Sequence, residues 1–186
     1  ALRKKQLELH DSGLLPEKMR ERRAEAAGLT IYDMVRNEEL YPLETYLDAA
    51  DLALQRDPDN LATFGNQMSS DDEGIRWWAV VGMHLLDDNA RQAAPVLESA
   101  LADDAHEIRM MAAWTLIKLG QSDQAVECLE DLLVNGTNNE TMLHNVIDWM
   151  GEPGLPLVKK YIASGKTRQG KYGIGIFGRI AELQGG

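Results

Sequence analysis

Several features are absent or scarce in this sequence, and each absence excludes a class of protein. The 186 residues include a single cysteine, Cys128, so no internal disulfide can form. No apolar run approaches the roughly 18 residues that a membrane-spanning helix requires, and no signal peptide opens the chain. β-Branched residues are sparse and no segment alternates apolar and polar residues for long, so strands are not expected. The sequence therefore favours a helical fold without disulfides.

The starting methionine is also missing. The chain begins with Ala1-Leu2-Arg3 in a helix-like pattern, so we expect a segment of a longer protein, without that protein's targeting signals. A single cysteine is compatible with both the cytosol and the bacterial periplasm. Cys128 lies in an apolar helical pattern, and this position predicts a buried, unreactive thiol.

Basic residues are scarce in the middle of the chain. The sequence has 19 Lys and Arg against 30 Asp and Glu, a net charge of -11, and such a surface repels nucleic-acid phosphates. Residues 37–158 hold 23 acidic and 5 basic residues. The two ends differ, with 6 acidic and 8 basic residues in residues 1–36 and 1 acidic and 6 basic in residues 159–186. Two interpretations remain open: a solvated acidic surface that keeps the chain soluble, or basic ends that dock on an acidic surface of another domain.

What the sequence does contain is an internal repeat. Ile75-Arg76 returns as Ile108-Arg109, 33 residues later, and further apolar positions keep the same offset. Gly120 returns as Gly151 after 31 residues. A period of about 31–33 residues with apolar positions at helical spacing predicts stacked helix pairs.

The helix pairs are predicted over residues 43–67, 73–101, 103–136 and 140–163. Pro58 and Pro95 stand near the starts of second helices, where proline is tolerated. The acidic pairs 71–73 and 103–104 are interpreted as N-caps rather than calcium ligands, because calcium needs about six or more oxygens at one place. Gly120 is expected just after a helix end.

The predicted fold class is therefore all-α, an α–α superhelix of about four helix pairs plus N-terminal helices. We predict an N-terminal helical linker over residues 1–40 that packs on the repeats, helix pairs over residues 41–164, and a glycine-rich tail or cap over residues 165–186, with a short closing helix near residues 174–183. In the linker, Pro16 is predicted at the first position of a helix, and Thr30 as the cap of a short helix.

Two resemblances follow from these motifs. The stretch from Asp104 to Gly120 resembles HEAT-like repeats, which are also found in phycobilin lyase families. A set of N-terminal motifs is similar to the C-terminal region of certain bacterial sulfatases. These motifs are Gly13-Leu14-Leu15-Pro16-Glu17, Arg23-Ala24, Thr30-Ile31-Tyr32-Asp33, Tyr41-Pro42-Leu43, Ala49-Ala50-Asp51-Leu52-Ala53 and Ile75-Arg76-Trp77-Trp78-Ala79.

The sulfatase resemblance implies a layout rather than a chemistry for this chain. In those enzymes an alkaline-phosphatase-like catalytic domain with calcium comes first and a helical repeat region follows. Cys128 is followed by Leu129-Glu130 and does not match the family's Cys-x-Pro-x-Arg motif, so no catalytic or metal residue carries over. The implied location is periplasmic or secreted for a sulfatase segment, and cytoplasmic otherwise.

No constellation of reactive residues is evident in the sequence. The histidines, which are His10, His84, His106 and His144, are isolated from one another and from Cys128. A zinc site needs three or four convergent ligands. We therefore expect no metal, no cofactor and no catalytic residue in this chain.

Four residues of the repeats are candidates for an interaction surface: Arg76, Trp77, Trp78 and Arg109. The arginines recur one repeat apart and are interpreted as a ladder of ion pairs between repeats, with contact to an anion or a glycan as the alternative. Trp77 and Trp78 point about 100° apart on a helix, so both cannot face one core. In the simpler interpretation, one of the two tryptophans packs between repeats. In the functional interpretation, the second tryptophan is exposed on a surface that contacts a partner.

Two functions remain open at this point. The first is a non-catalytic accessory domain that packs on the catalytic domain of a sulfatase-type hydrolase and shapes substrate access there. The alternative is a free-standing HEAT-like adaptor that binds another protein. In either case the expected partner is a protein or an upstream domain, not nucleic acid, and no membrane span is expected.

Overall fold

A computed structural model describes residues 13–121, 123–137, 139–151 and 154–163, with side chains up to Lys159. These residues form ten α-helices and two 3-10 helices, and the described part of the chain contains no strand. The predicted all-α helical-repeat class is confirmed. The α-helices are α1 (Glu17–Ala27), α2 (Ile31–Met34), α3 (Leu43–Leu54), α4 (Leu61–Gln67), α5 (Glu73–Leu85), α6 (Ala94–Ala100), α7 (His106–Lys118), α8 (Asp123–Asn135), α9 (Glu140–Met150) and α10 (Leu155–Ala163).

The chain divides into two compact units, Ala1–Val96 and Leu97–Gly186, and the division falls within α6. The domain boundaries predicted after residues 40 and 164 stay predictions. Residues 1–12 of the predicted linker and the closing helix near residues 174–183 lie outside the described residues.

In the first unit, α3 and α4 both pack against α5. Their shared core contains Tyr46, Phe64 and Met83, each with no exposed surface, because the apolar side chains recur every three or four positions along these helices. The Tyr41 and Tyr46 rings meet edge to face with centroids 5.0 Å apart. Gly82 lets α5 approach the Phe64 ring, where a larger residue would not fit.

In the second unit the helices form two layers, one of first helices and one of second helices. α7 packs against α8 within a pair, and the next pair adds α9 to α7 and α10 to α8. First helices therefore lie beside first helices, and second beside second. Ile108, Leu116, Leu129 and Leu132 are among the side chains with almost no exposed surface. Each pair buries its apolar face only with the help of its neighbour.

Most predicted helix ends are confirmed. Pro58 opens the 3-10 helix before α4, and Pro95 is the second residue of α6. Gly120 follows the end of α7 with φ +80°, and Gly136 follows α8 with φ +95°. The amide of Gly120 donates to the Ile117 carbonyl and that of Gln121 to the Leu116 carbonyl, the paired bonds that close a helix with a left-handed glycine.

Two predicted caps are wrong by about one position. Pro16 is the N-cap residue of α1 rather than its first helical residue. The N-cap of α7 is Ala105, whose side chain cannot accept a hydrogen bond, and Asp103 instead accepts from the Ala105 amide at 2.8 Å. Ser70, 33 residues earlier, accepts in the same way from the Asp72 amide at 3.2 Å. Asp103 therefore shapes the turn before the helix and does not cap the helix. Thr30 does cap α2 as predicted, by accepting from the Asp33 amide at 3.1 Å.

The tight packing of α5 predicts opposite effects for two helical glycines. A methyl group at Gly82 would lie 2.6 Å from the Phe64 ring, so Gly82→Ala should lower the free energy of unfolding by about 1–3 kcal/mol. Gly65 in α4 has no atom within 4 Å of the same position, so Gly65→Ala should raise it by about 0.5–1 kcal/mol. Urea denaturation of both variants measures the difference. Equal effects of the two substitutions would contradict the packing described for Gly82.

Candidate interaction surface

A polar cluster joins the N-terminal helix to the start of α5. Arg23 in α1 donates from Nη2 to Asp72 Oδ1 at 2.6 Å and from Nε to Glu73 Oε1 at 3.0 Å. It also donates to the Leu40 carbonyl at 3.1 Å and to the Tyr46 hydroxyl. This guanidinium therefore binds two carboxylates, one carbonyl and one hydroxyl, with only 17% of its side chain exposed.

Asp72 is the residue in which the cluster and the helix cap coincide. Its Oδ1 accepts from the Gly74 amide at 2.6 Å, so the predicted N-cap of α5 is confirmed. The Tyr46 hydroxyl donates to Asp72 Oδ2 at 2.8 Å. Burial works against ionisation, yet the hydrogen bonds from Arg23 and Tyr46 outweigh it and hold the pKa of Asp72 below its usual value.

The neighbours of Asp72 fit closely around it. Burial raises the pKa of Tyr46 well above its ordinary value, so the hydroxyl stays protonated and donates. A methyl group at Gly74 would lie 2.6 Å from the Tyr46 ring, so glycine is needed there. Arg22 adds a second link to Glu73 at 3.2 Å. The cluster is a satisfied structural network, and nothing in it is arranged to attack a substrate.

The repeated arginines hold the loops that precede their helices. Arg76 donates to the carbonyl oxygens of Ser70 at 2.9 Å and Asp71 at 3.2 Å, and Arg109 donates to that of Leu101 at 2.9 Å. Arg109 also forms a salt bridge of 3.1 Å with Asp131 on α8, the second helix of its own pair. The predicted ladder of ion pairs between repeats is therefore wrong for Arg109, because the nearest carboxylate belongs to the partner helix.

Cys128 lies beside this arginine. Its thiol is buried and donates to the Leu101 carbonyl at 3.6 Å. Burial raises the pKa of the thiol, and the Arg109 charge opposes that shift without cancelling it. A protonated, buried thiol fits the prediction of an unreactive cysteine.

Trp77 and Trp78 lie on α5, and each is half-buried. The Trp78 Nε1 atom is buried and has no hydrogen-bond partner in the part of the chain that the structure describes. Neither ring has the exposure of a free surface residue. The assignment of Arg76, Trp77, Trp78 and Arg109 to an interaction surface stays a prediction.

The most exposed tryptophan lies elsewhere. Trp149 on α9 is 57% exposed, and its ring stacks on that of Trp114 on α7, with centroids 4.6 Å apart and planes 25° apart. The two residues are 35 positions apart and lie on adjacent first helices. The internal period of 31–33 residues does not align them.

A second set of contacts that the sequence did not predict joins the starts of α7 and α9. Glu107 is fully buried and accepts from Asn139 Nδ2 at 3.2 Å, while Asn139 Oδ1 caps α9 by accepting from the Met142 amide at 3.2 Å. His106 Nδ1 lies 2.8 Å from the Thr137 hydroxyl. These polar groups hold adjacent first helices in register.

No group of three or more His, Cys, Asp or Glu side chains that could hold a metal ion occurs among the described residues. Burial lowers the pKa of His144, with a smaller opposing effect from Glu140, so this imidazole is neutral near pH 7. No helix in the described ranges is long and apolar enough to cross a membrane.

Residues 61–142 match the HEAT-repeat family. The HEAT-like repeat region thus runs from the start of α4 into the first turn of α9 and includes the stretch from Asp104 to Gly120 that suggested it. HEAT repeats are helical interaction modules and are generally non-catalytic. No curated protein and no solved structure matches the chain.

The polar cluster predicts a stability change that depends on pH. The folded pKa of Asp72 lies below the unfolded value of about 3.9, so its stabilisation is fully present above that value and is lost as the pH falls through the folded pKa. Asp72→Asn keeps one oxygen that can accept from the Gly74 amide, replaces the oxygen that accepts from Tyr46 at 2.8 Å by an NH2 donor, and removes the charge that pairs with Arg23. We expect a loss of about 1–3 kcal/mol at pH 7, which shrinks as the pH falls below about 4.

Urea denaturation at a series of pH values measures this effect. The neighbouring exposed Asp71, whose backbone carbonyl rather than its carboxylate contacts Arg76, provides the control variant Asp71→Asn. If both variants lost the same free energy at every pH, the Arg23–Asp72 pair would not be the source of the stabilisation.

Proposed function

We propose that this chain is a protein-binding helical-repeat domain whose docking surface includes Trp149 on the α7–α9 face. The exposed, stacked tryptophan is the observation that carries the proposal. A tryptophan with 57% of its surface exposed is costly to leave in water, and tryptophan is among the residues most enriched at the centres of protein interfaces. The HEAT-like repeat region supports the same function.

The rigidity of this surface also favours binding. Trp149 rests on Trp114, and the polar contacts between Glu107 and Asn139 fix the two helices that carry the rings. An aromatic anchor that is held in place loses little conformational entropy when a partner binds. Loops and flexible side chains would lose more.

For the identity of the partner, we infer a protein domain, and the sulfatase resemblance offers a specific candidate. In that version the partner is a sulfatase-type catalytic domain upstream in the same polypeptide, with calcium bound there, and this chain shapes access to its substrate. Several residues that carry the resemblance are core residues here: Leu15, Tyr41 and Leu43 are buried, and Arg23 forms the polar cluster. They support a shared helical region and give no support to catalysis by this chain.

Binding through Trp149 can be tested with two variants of equally exposed side chains. Trp149→Ala removes the anchor, and Leu54→Ala, from a leucine that is 59% exposed on α3, is the matched control. We expect a partner that co-purifies with the immobilised wild-type chain to be retained by Leu54→Ala and lost by Trp149→Ala. Thermal unfolding checks that both variants fold. A partner retained equally by all three chains would contradict the proposal.

The sulfatase version has its own test. Translation of the genomic sequence upstream of Ala1 shows whether a Cys-x-Pro-x-Arg or Ser-x-Pro-x-Arg motif precedes this region. If it does, we expect the longer protein to hydrolyse an aryl sulfate with calcium, and this segment alone to be inactive. An upstream sequence without the motif, or a folded long form without activity, would leave a free-standing adaptor.

A further inference from the structure

We infer that the exposed face of Trp149 binds an arginine side chain in a basic segment of the partner protein. This inference rests on the proposed function, because it names the chemistry of the segment that the same surface would bind.

The geometry leaves one ring face for a planar group. Trp114 covers one side of Trp149, with a centroid separation of 4.6 Å and an interplanar angle of 25°. Trp149 nevertheless keeps 57% of its surface exposed, so the opposite side is accessible. An indole face attracts cations more strongly than the other aromatic rings, and a flat guanidinium can stack on it.

The charge of α9 and of the described part of the second unit favours a cationic ligand. Helix α9 carries Glu140 and Asp148 and no Lys or Arg, and His144 is neutral because burial lowers its pKa. In the described part of the second unit, the exposed basic side chains are Lys118 and Lys159. The exposed carboxylates outnumber them, being those of Glu98, Asp104, Asp123, Glu127, Asp131 and Glu140. A basic segment is therefore attracted to this unit before it makes contact.

Arginine fits better than lysine for a physical reason. The guanidinium is planar and weakly hydrated, so it stacks on an aromatic ring and still donates hydrogen bonds from its edge. On α9, Asn145 lies one turn before Trp149 and is exposed, with Thr141 a further turn away. Their side-chain oxygens are acceptors on the same side of the helix.

The test uses a defined probe. A short glycine-serine peptide with three arginines is titrated into the full chain, together with the same peptide carrying lysine, citrulline or glutamate. Calorimetry gives the affinities for the wild type, Trp149→Ala and the control Leu54→Ala. We expect the arginine peptide to bind most tightly, to lose about five- to thirty-fold in affinity with Trp149→Ala, and to be unaffected by Leu54→Ala. Added salt should weaken binding.

The outcomes separate this inference from the proposed function. If the arginine peptide binds Trp149→Ala as tightly as the wild type, or binds no better than the citrulline peptide, the inference is overturned. If it fails to bind while a protein partner still depends on Trp149, the inference falls and the proposed function stands. Self-association that grows with concentration and disappears in Trp149→Ala would show that a second copy covers the ring, and this would also overturn it.

Discussion

A pair of short amphipathic helices cannot bury its apolar face alone, and this constraint governs the repeat region. In the second unit, α7 buries most of its residues because α8 and α9 both pack against it. The cost of ordering the backbone is offset by apolar area that belongs to no single pair. The same constraint explains why an end of a repeat region can carry an exposed apolar group such as Trp149. The corresponding face of Trp114 is covered by the next repeat, whereas no described residue does the same for Trp149.

Polar groups in both units are placed so that helix starts are held by more than their own caps. Asp72 caps α5 and also binds Arg23 and Tyr46, so α1, α3 and α5 meet at one carboxylate. The role of this charge is structural, because a guanidinium that donates to several acceptors fixes the relative position of three helices. Leu15, Tyr41 and Leu43 complete the buried side of this region, so the N-terminal motifs contribute to the fold. The function proposed here rests on the surface of the other unit.

The helices and their ends could be predicted because their determinants are local. Proline, glycine and the helical spacing of apolar residues lie within each helix, and Asp72 stands directly before the helix that it caps. The polar cluster could not be predicted, because Arg23 and Asp72 are 49 residues apart and no local pattern joins them. The stacked tryptophans were missed for a different reason. Trp114 and Trp149 are 35 residues apart, whereas Gly120 and Gly151, which follow the same two helices, are 31 apart, so no single period aligns both pairs.

Asn139 makes the order of one helix depend on that of its neighbour. Its side-chain oxygen caps α9 while its amide nitrogen donates to Glu107 at the start of α7. A side-chain cap stabilises a helix start only while it is held in place. Loss of α7 would therefore weaken the start of α9, and loss of α9 would leave the buried Glu107 carboxylate without this donor, so the two first helices are coupled in both directions.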